Sequence, residues 1–154
     1  MDAATVFLGV RARSVDETRR RLVHLGYPEM LVDEVVGRLI DMSYLDDTQF
    51  AQAWVESRDR ASPRGETALR RELALKGVPR SVVDNVLTER NHGGDQNRAA
   101  ADALLTRRRA ALEREADPAR RRQKAYALLA RNGFDPETCR EAATSFVAGG
   151  SIAT

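Results

Sequence analysis

The sequence predicts an all-α protein made of tandem three-helix repeats, three units and about nine helices in all. Three observations carry this expectation. A glycine-anchored pattern recurs three times, apolar residues fall at intervals of three and four, and the composition is 31% charged but only 5% aromatic. No stretch of useful length alternates with the period of two that a half-buried strand requires.

The glycines are Gly26, Gly77 and Gly133, in the contexts LVHLGYPEMLVDEVV, LALKGVPRSVVDNVL and LLARNGFDPETCREAA. Four residues before each stands Leu22, Leu73 or Leu129, and one residue after stands Tyr27, Val78 or Phe134. Val32, Val83 and Cys139 correspond six residues beyond the glycine, and Val35, Val86 and Ala142 nine beyond. Such a unit reads as helix, glycine turn, helix, because glycine ends a helix in the left-handed conformation without a Cβ penalty. Pro28, Pro79 and Pro136 follow where a new helix can start without an amide hydrogen.

Each element then follows in order. A first helix is expected over residues 3–13. The spacing S-V-D-E at Ser14 to Glu17 is a capping box opening the helix that ends near Gly26. Leu31, Val35 and Leu39 give the next helix its apolar stripe. A helix over 47–61 follows, then Ser62-Pro63 as N-cap and first-turn proline of the helix ending near Gly77. The loop NHGGDQN, 91–97, separates the second unit from the third, whose first helix is expected as one segment over 96–115. The units are therefore 1–45, 46–92 and 95–147, with 148–154 as a flexible tail.

Adjacent carboxylates at Asp46 and Asp47 invite a catalytic reading. Phe50 and Trp54, one turn apart, mark the segment as an amphipathic helix that opens at those aspartates, where a carboxylate accepts backbone amides and complements the dipole. Phe50 and Trp54 are expected in the core. No P-loop, dinucleotide fingerprint or HExxH occurs, and the two histidines, His24 and His92, are far apart. Cys139 occupies a core position of the repeat, and one cysteine builds neither a disulfide nor a cysteine zinc site. The sequence thus predicts a non-enzyme without cofactor or metal. TVFLGV, 5–10, is too short to span a bilayer, so a cytoplasmic protein off the membrane is expected.

Charge is unevenly spread. Residues 1–56 hold six arginines against ten acids, a net of −4, whereas 57–90 carry +3 and 98–124 carry +5. Arg70 and Arg71 repeat the positions of Arg19 and Arg20, and the third unit carries Arg120, Arg121, Arg122 and Lys124 nearer its helix start. Stacked repeats would align such residues along an elongated surface suited to a polyanion or a long acidic groove.

YLDDTQFAQAWVESR (44–58), LRRELALKGV (69–78) and LLARNGF (128–134) resemble the RecX regulators of the bacterial recombinase RecA, over roughly residues 10–146. The resemblance implies three tandem three-helix repeats in a curved, elongated monomer. It further implies a protein that binds the RecA filament on DNA and inhibits its ATPase, strand exchange and coprotease activities. Single- and double-stranded DNA would be weaker, non-specific partners. Arg58, Arg64, Arg70, Arg71, Lys76, Arg121, Arg122 and Lys124 are then the candidate RecA- and DNA-facing residues, while Asp46, Asp47, Phe50, Trp54, Gly26, Gly77 and Gly133 hold the units together. The alternative is an independent helical DNA-binding module. The helices after Gly26 and Gly77 begin PEMLVDEVV and PRSVVDNVL, whose acids face phosphates poorly, so sequence-specific reading is disfavoured.

Overall fold

The computed structural model describes residues 12–150, and every regular element among them is helical. The helix expected over 3–13 lies outside the described residues apart from Ala12 and Arg13, which are not helical. The helices are α1 (Val15–His24), α2 (Glu29–Asp41), α3 (Asp47–Ala61), α4 (Glu66–Leu75), α5 (Arg80–Arg90), α6 (Gln96–Arg107), α7 (Arg109–Glu113), α8 (Pro118–Arg131) and α9 (Pro136–Gly150).

Helix ends follow local chemistry. Ser14 Oγ accepts the Glu17 amide at 3.0 Å while the Glu17 carboxylate accepts the Ser14 amide at 3.4 Å, closing the capping box of α1. Gly26, Gly77 and Gly133 have φ of 94°, 76° and 87°. The amides of Tyr27, Val78 and Phe134 reach back to the carbonyls of Leu22, Leu73 and Leu129, so each leucine of the repeat also receives the turn's closing hydrogen bond. Asp95 caps α6, Asp117 with Pro118 opens α8, and Asp135 with Pro136 opens α9.

Three expected boundaries move. Ser62-Pro63 does not cap α4, whose first turn is held by residues distant in sequence. Gly65 N–H donates to the Asn132 carbonyl at 2.8 Å, Glu66 N–H to Asn97 Oδ1 at 3.2 Å and Thr67 N–H to the Gly133 carbonyl at 3.2 Å. The segment 96–115 is two helices, α6 and α7, which part at Arg108. At the far end, α9 continues through Gly150, so 148–150 are helical rather than tail, and 151–154 lie outside the described residues.

The described residues divide into two compact units, one of 12–54 and Glu72–Val86, the other of Val55–Arg71 and 87–150. In the first, Leu22, Val32, Val35, Val36, Leu39 and Leu45 form a core flanked by Val15. In the second, Leu104, Leu105, Leu112, Leu129, Phe134 and Cys139 pack with five buried alanines, bordered by Leu128 and Phe146. At nine beyond the glycine Ala142 stands where the other repeats have Val35 and Val86, and the smaller side chain lets α9 approach its neighbours closely. Every position matched between repeats at four before, six after and nine after the glycine is buried. The position just after the glycine is not uniform: Val78 and Phe134 are buried, whereas Tyr27 is 42% exposed.

The paired aspartates divide their work. Asp46 Oδ1 accepts the amides of Thr48 (2.9 Å) and Gln49 (3.2 Å), capping α3. Asp47 Oδ1 instead accepts the Val15 amide at 2.9 Å, joining the start of α3 to the start of α1. Burial raises the Asp47 pKa, the Val15 amide opposes that shift, and the charges of Asp16 and Asp46 add to it. A raised carboxyl pKa means stability present at low pH and lost as pH rises through the folded-state value. Asp47→Asn, which keeps an oxygen for Val15, should therefore melt no lower than wild type at pH 7, with any gain vanishing near pH 3. Asp46→Ala should lose about 1 kcal/mol. Thermal melts at both pH values check the pair, and an Asp47→Asn protein that melts well below wild type at pH 7 would mean the charge itself is needed.

Candidate polyanion-binding surface

The first unit holds one of the candidate cations, Lys76, in a cluster built from three helices. Its Nζ stands 5.4 Å from the Trp54 ring centroid and 3.7 Å from Glu17, and its carbonyl accepts the Ser14 hydroxyl at 2.6 Å. Trp54 Nε1 donates to Glu72 at 3.1 Å, and the ring lies 6.0 Å from that of buried Phe50. Trp54 is thus half-buried with both its face and its edge engaged, which is a structural arrangement and not an open stacking platform.

The second unit holds the remaining seven. Arg64 donates to Asn132 Oδ1 at 2.9 Å, and its Nε is buried without a partner. Arg70 makes two bonds to Glu66, one turn back, at 3.3 and 3.0 Å. Arg58 is half-buried and engaged. Arg121 donates to the carbonyls of Glu115 (3.0 Å) and Ala116 (3.2 Å), tying α8 to the turn before it. Lys124 meets the Glu115 carboxylate at 3.0 Å, and that hydrogen bond is the main reason the Glu115 pKa is lowered.

Arg71 and Arg122 remain: both are exposed and neither has a hydrogen-bond or ion-pair partner among the described residues. The structure thus separates cations that bind their own chain from cations that face outward, a distinction that charge counting cannot make.

Other arginines were not singled out by the sequence. Arg107 reaches the carbonyls of Arg60 and Ala61 at the end of α3, where a cation complements the helix dipole. Arg98 bridges Asp102, Glu141 and Ser145. Arg140, on α9, is exposed and borders a cleft with Arg122 and Tyr126. The signal that could have found this set is the one-turn spacing of Arg122 with Tyr126 on one helix and of Arg140 with Thr144 on the next.

Cys139 is fully buried; burial first, then the nearby Asp135 charge, raises its pKa, so it behaves as a core side chain. Asp135 moves the other way: partial desolvation would raise its pKa, but the Thr138 hydroxyl and amide, which donate to its carboxylate at 2.6 and 3.0 Å, lower it. Among the described residues no group of three His, Cys, Asp or Glu is placed to hold a metal ion, and no helix is long and apolar enough to cross a membrane.

The fold defines a helical-repeat protein, on which Arg71 and Arg122 are the outward-facing candidate cations. A family model described as RecX, second three-helix domain, matches residues 46–87. The regulatory protein RecX of Prosthecochloris aestuarii is 33% identical over 145 residues, covering 92% of this chain and 89% of that protein. That of Mycobacterium avium is 35% identical over 127 residues, covering 82% and 72%. The chain belongs to the RecX family of regulatory proteins. The crystal structure of RecX from Lactobacillus salivarius superposes with a TM-score of 0.80 over 98% of this chain and 94% of that one, at 18% identity, a likeness of fold.

Proposed function

We propose that the protein binds the RecA filament on DNA and inhibits its ATPase, strand exchange and coprotease activities. The observation that carries this reading is kinship with regulatory proteins named RecX over nine-tenths of the chain. The basic balance of 57–90 and 98–124 supports it, because a nucleoprotein filament presents phosphate and acidic protein surface together. In this reading residues 1–45, 46–92 and 95–147 act as three three-helix repeats of a cytoplasmic monomer, and the acidic first repeat meets basic protein surface. Arg71 and Arg122 become the leading contacts. Arg58, Arg64, Arg70, Lys76, Arg121 and Lys124 serve chiefly to hold the surface that presents them.

The test is steady-state ATP hydrolysis by RecA preassembled on saturating single-stranded DNA, titrated with this protein at fixed salt. Inhibition well below one protein per RecA supports the reading. Loss of inhibition with salt-sensitive binding to naked DNA would replace it with an independent DNA-binding module. Arg71→Glu should raise the half-inhibiting concentration about tenfold, as reversal of a surface contact charge does, without change in circular dichroism. Arg70→Glu should cost stability through its lost pair with Glu66, by a few tenths of a kcal/mol.

A further inference from the structure

We propose that the cleft between α8 and α9 is a binding site for one nucleotide unit of single-stranded nucleic acid, with the base on Tyr126 and the phosphate between Arg122 and Arg140. The inference deepens the reading above, on which it rests for where single-stranded DNA is met. Arg122, Gln123 and Tyr126 line the cleft from α8, and Arg140, Ala143 and Thr144 line it from α9. Its volume is about 640 Å³, within the range of small-ligand sites.

Two independent features single the cleft out. The first is its cations. Along α8 the neighbours of Arg122 are committed: Arg120 to Asp117 at 3.7 Å, Arg121 to backbone carbonyls and Lys124 to Glu115. Across the cleft, Glu141 beside Arg140 is drawn to Arg98 at 3.6 Å. Arg122 and Arg140 are left exposed, without an acid among the described residues, on facing helices. Two guanidinium forks at one cleft match the oxygens of a phosphate.

The second is Tyr126. At 37% it is the one exposed large apolar side chain among the described residues of its unit, and it lies outside the buried core cluster. An aromatic ring held open beside paired arginines is the arrangement that accepts a base by stacking without reading its edge. Ala143, fully buried, gives an apolar floor, while Gln123 and Thr144 offer hydrogen bonds to sugar or base. An acidic peptide would use the arginines but would leave the ring unused, so nucleic acid is the better match.

Fluorescence anisotropy of a labelled oligo(dT) with the full chain, from 50 to 200 mM salt, tests the assignment. Tyr126→Ala should weaken binding about tenfold at unchanged salt slope, and Tyr126→Phe should bind as wild type. Arg122→Gln and Arg140→Gln should each lower the slope by about 0.7, the loss of one phosphate contact on a single strand. Unchanged affinity and slope in all of these variants would overturn the proposal, as would poly-glutamate displacing the oligonucleotide equally well at matched charge. The RecA ATPase assay run beside it keeps the two readings apart. Wild-type inhibition with cleft variants that bind oligo(dT) normally removes the cleft and leaves the regulator. Cleft-dependent oligo(dT) binding without inhibition does the reverse.

Discussion

Gly133→Ala is expected to destabilise the protein by about 3–4 kcal/mol, while the same change at Gly26 costs about 1 kcal/mol. The two glycines occupy one position of the repeat and share the left-handed φ, 87° and 94°, so the strain of placing an L-residue there is common to both. They differ in surroundings. A methyl group at Gly26 meets nothing within 4 Å, whereas at Gly133 it would overlap the backbone and Cβ of Ala68 on α4. Gly65 approaches from the other side: a Cβ there would strike the Gly133 carbonyl and the Phe134 amide. Gly65→Ala, free of the left-handed penalty, should lose about 2–3 kcal/mol as the hydrogen bonds of Gly65 to Asn132 and of Thr67 to Gly133 are pushed apart. Gly77→Ala should resemble Gly133→Ala, because its methyl would meet the whole Asp16 side chain, including the Cβ, which cannot swing away as the carboxylate can. Urea melts of the four variants check the ranking. A Gly133→Ala protein as stable as Gly26→Ala would show that the close approach yields cheaply.

The same comparison shows what the sequence could disclose. The conformational demand on Gly26, Gly77 and Gly133 is local, so it left a pattern of flanking leucine and valine that reads directly as buried positions. The demand for close approach is tertiary and left no mark: Gly65 gives no local sign that it faces Gly133. For the same reason Ser62-Pro63 misled. Its capping signal is real as chemistry, but the amides of α4 are satisfied by Asn97, Asn132 and Gly133, and the helix starts where those partners are. The break at Arg108 has no glycine or proline to announce it. It follows Arg107, whose guanidinium is held by the end of α3.

The candidate surface was legible only as composition. Arg70 with Glu66 one turn away reads as a pair from spacing alone, and so do Arg20 with Asp16 and Arg98 with Asp102. Arg64 with Asn132 and Lys76 with Trp54 and Glu17 require the fold, since 68, 22 and 59 residues separate the partners. Which cations stay outward is decided by those long-range claims, and so Arg140 and Tyr126 emerge only once α8 and α9 are packed together.

Asp59→Ala is expected to lose about 2–3 kcal/mol, for a reason that the position of Asp59 already hints at. It stands in the last turn of α3, where a carboxylate opposes the helix dipole and where Arg58 and Arg60 are the favourable charges. Arg90 accounts for it. Its side chain, at the end of α5, is only 5% exposed, and it donates Nε and Nη2 to the two Asp59 oxygens at 3.0 and 2.8 Å. Its Nη1 is buried without a partner, so the guanidinium depends on this one carboxylate for its charge. Removing Asp59 leaves a buried cation uncompensated, a loss of about 3–5 kcal/mol for fully enclosed pairs, and here smaller because Asp59 is 31% exposed and water can take its place. Asp59→Asn, keeping one acceptor, should lose about half as much. Replacing both partners, Asp59→Ala with Arg90→Met, should recover most of the loss, since an apolar side chain in the arginine's slot has no charge to satisfy. A double-mutant cycle in urea measures this, and a single Asp59→Ala within about 0.5 kcal/mol of wild type would place the guanidinium in contact with solvent after all.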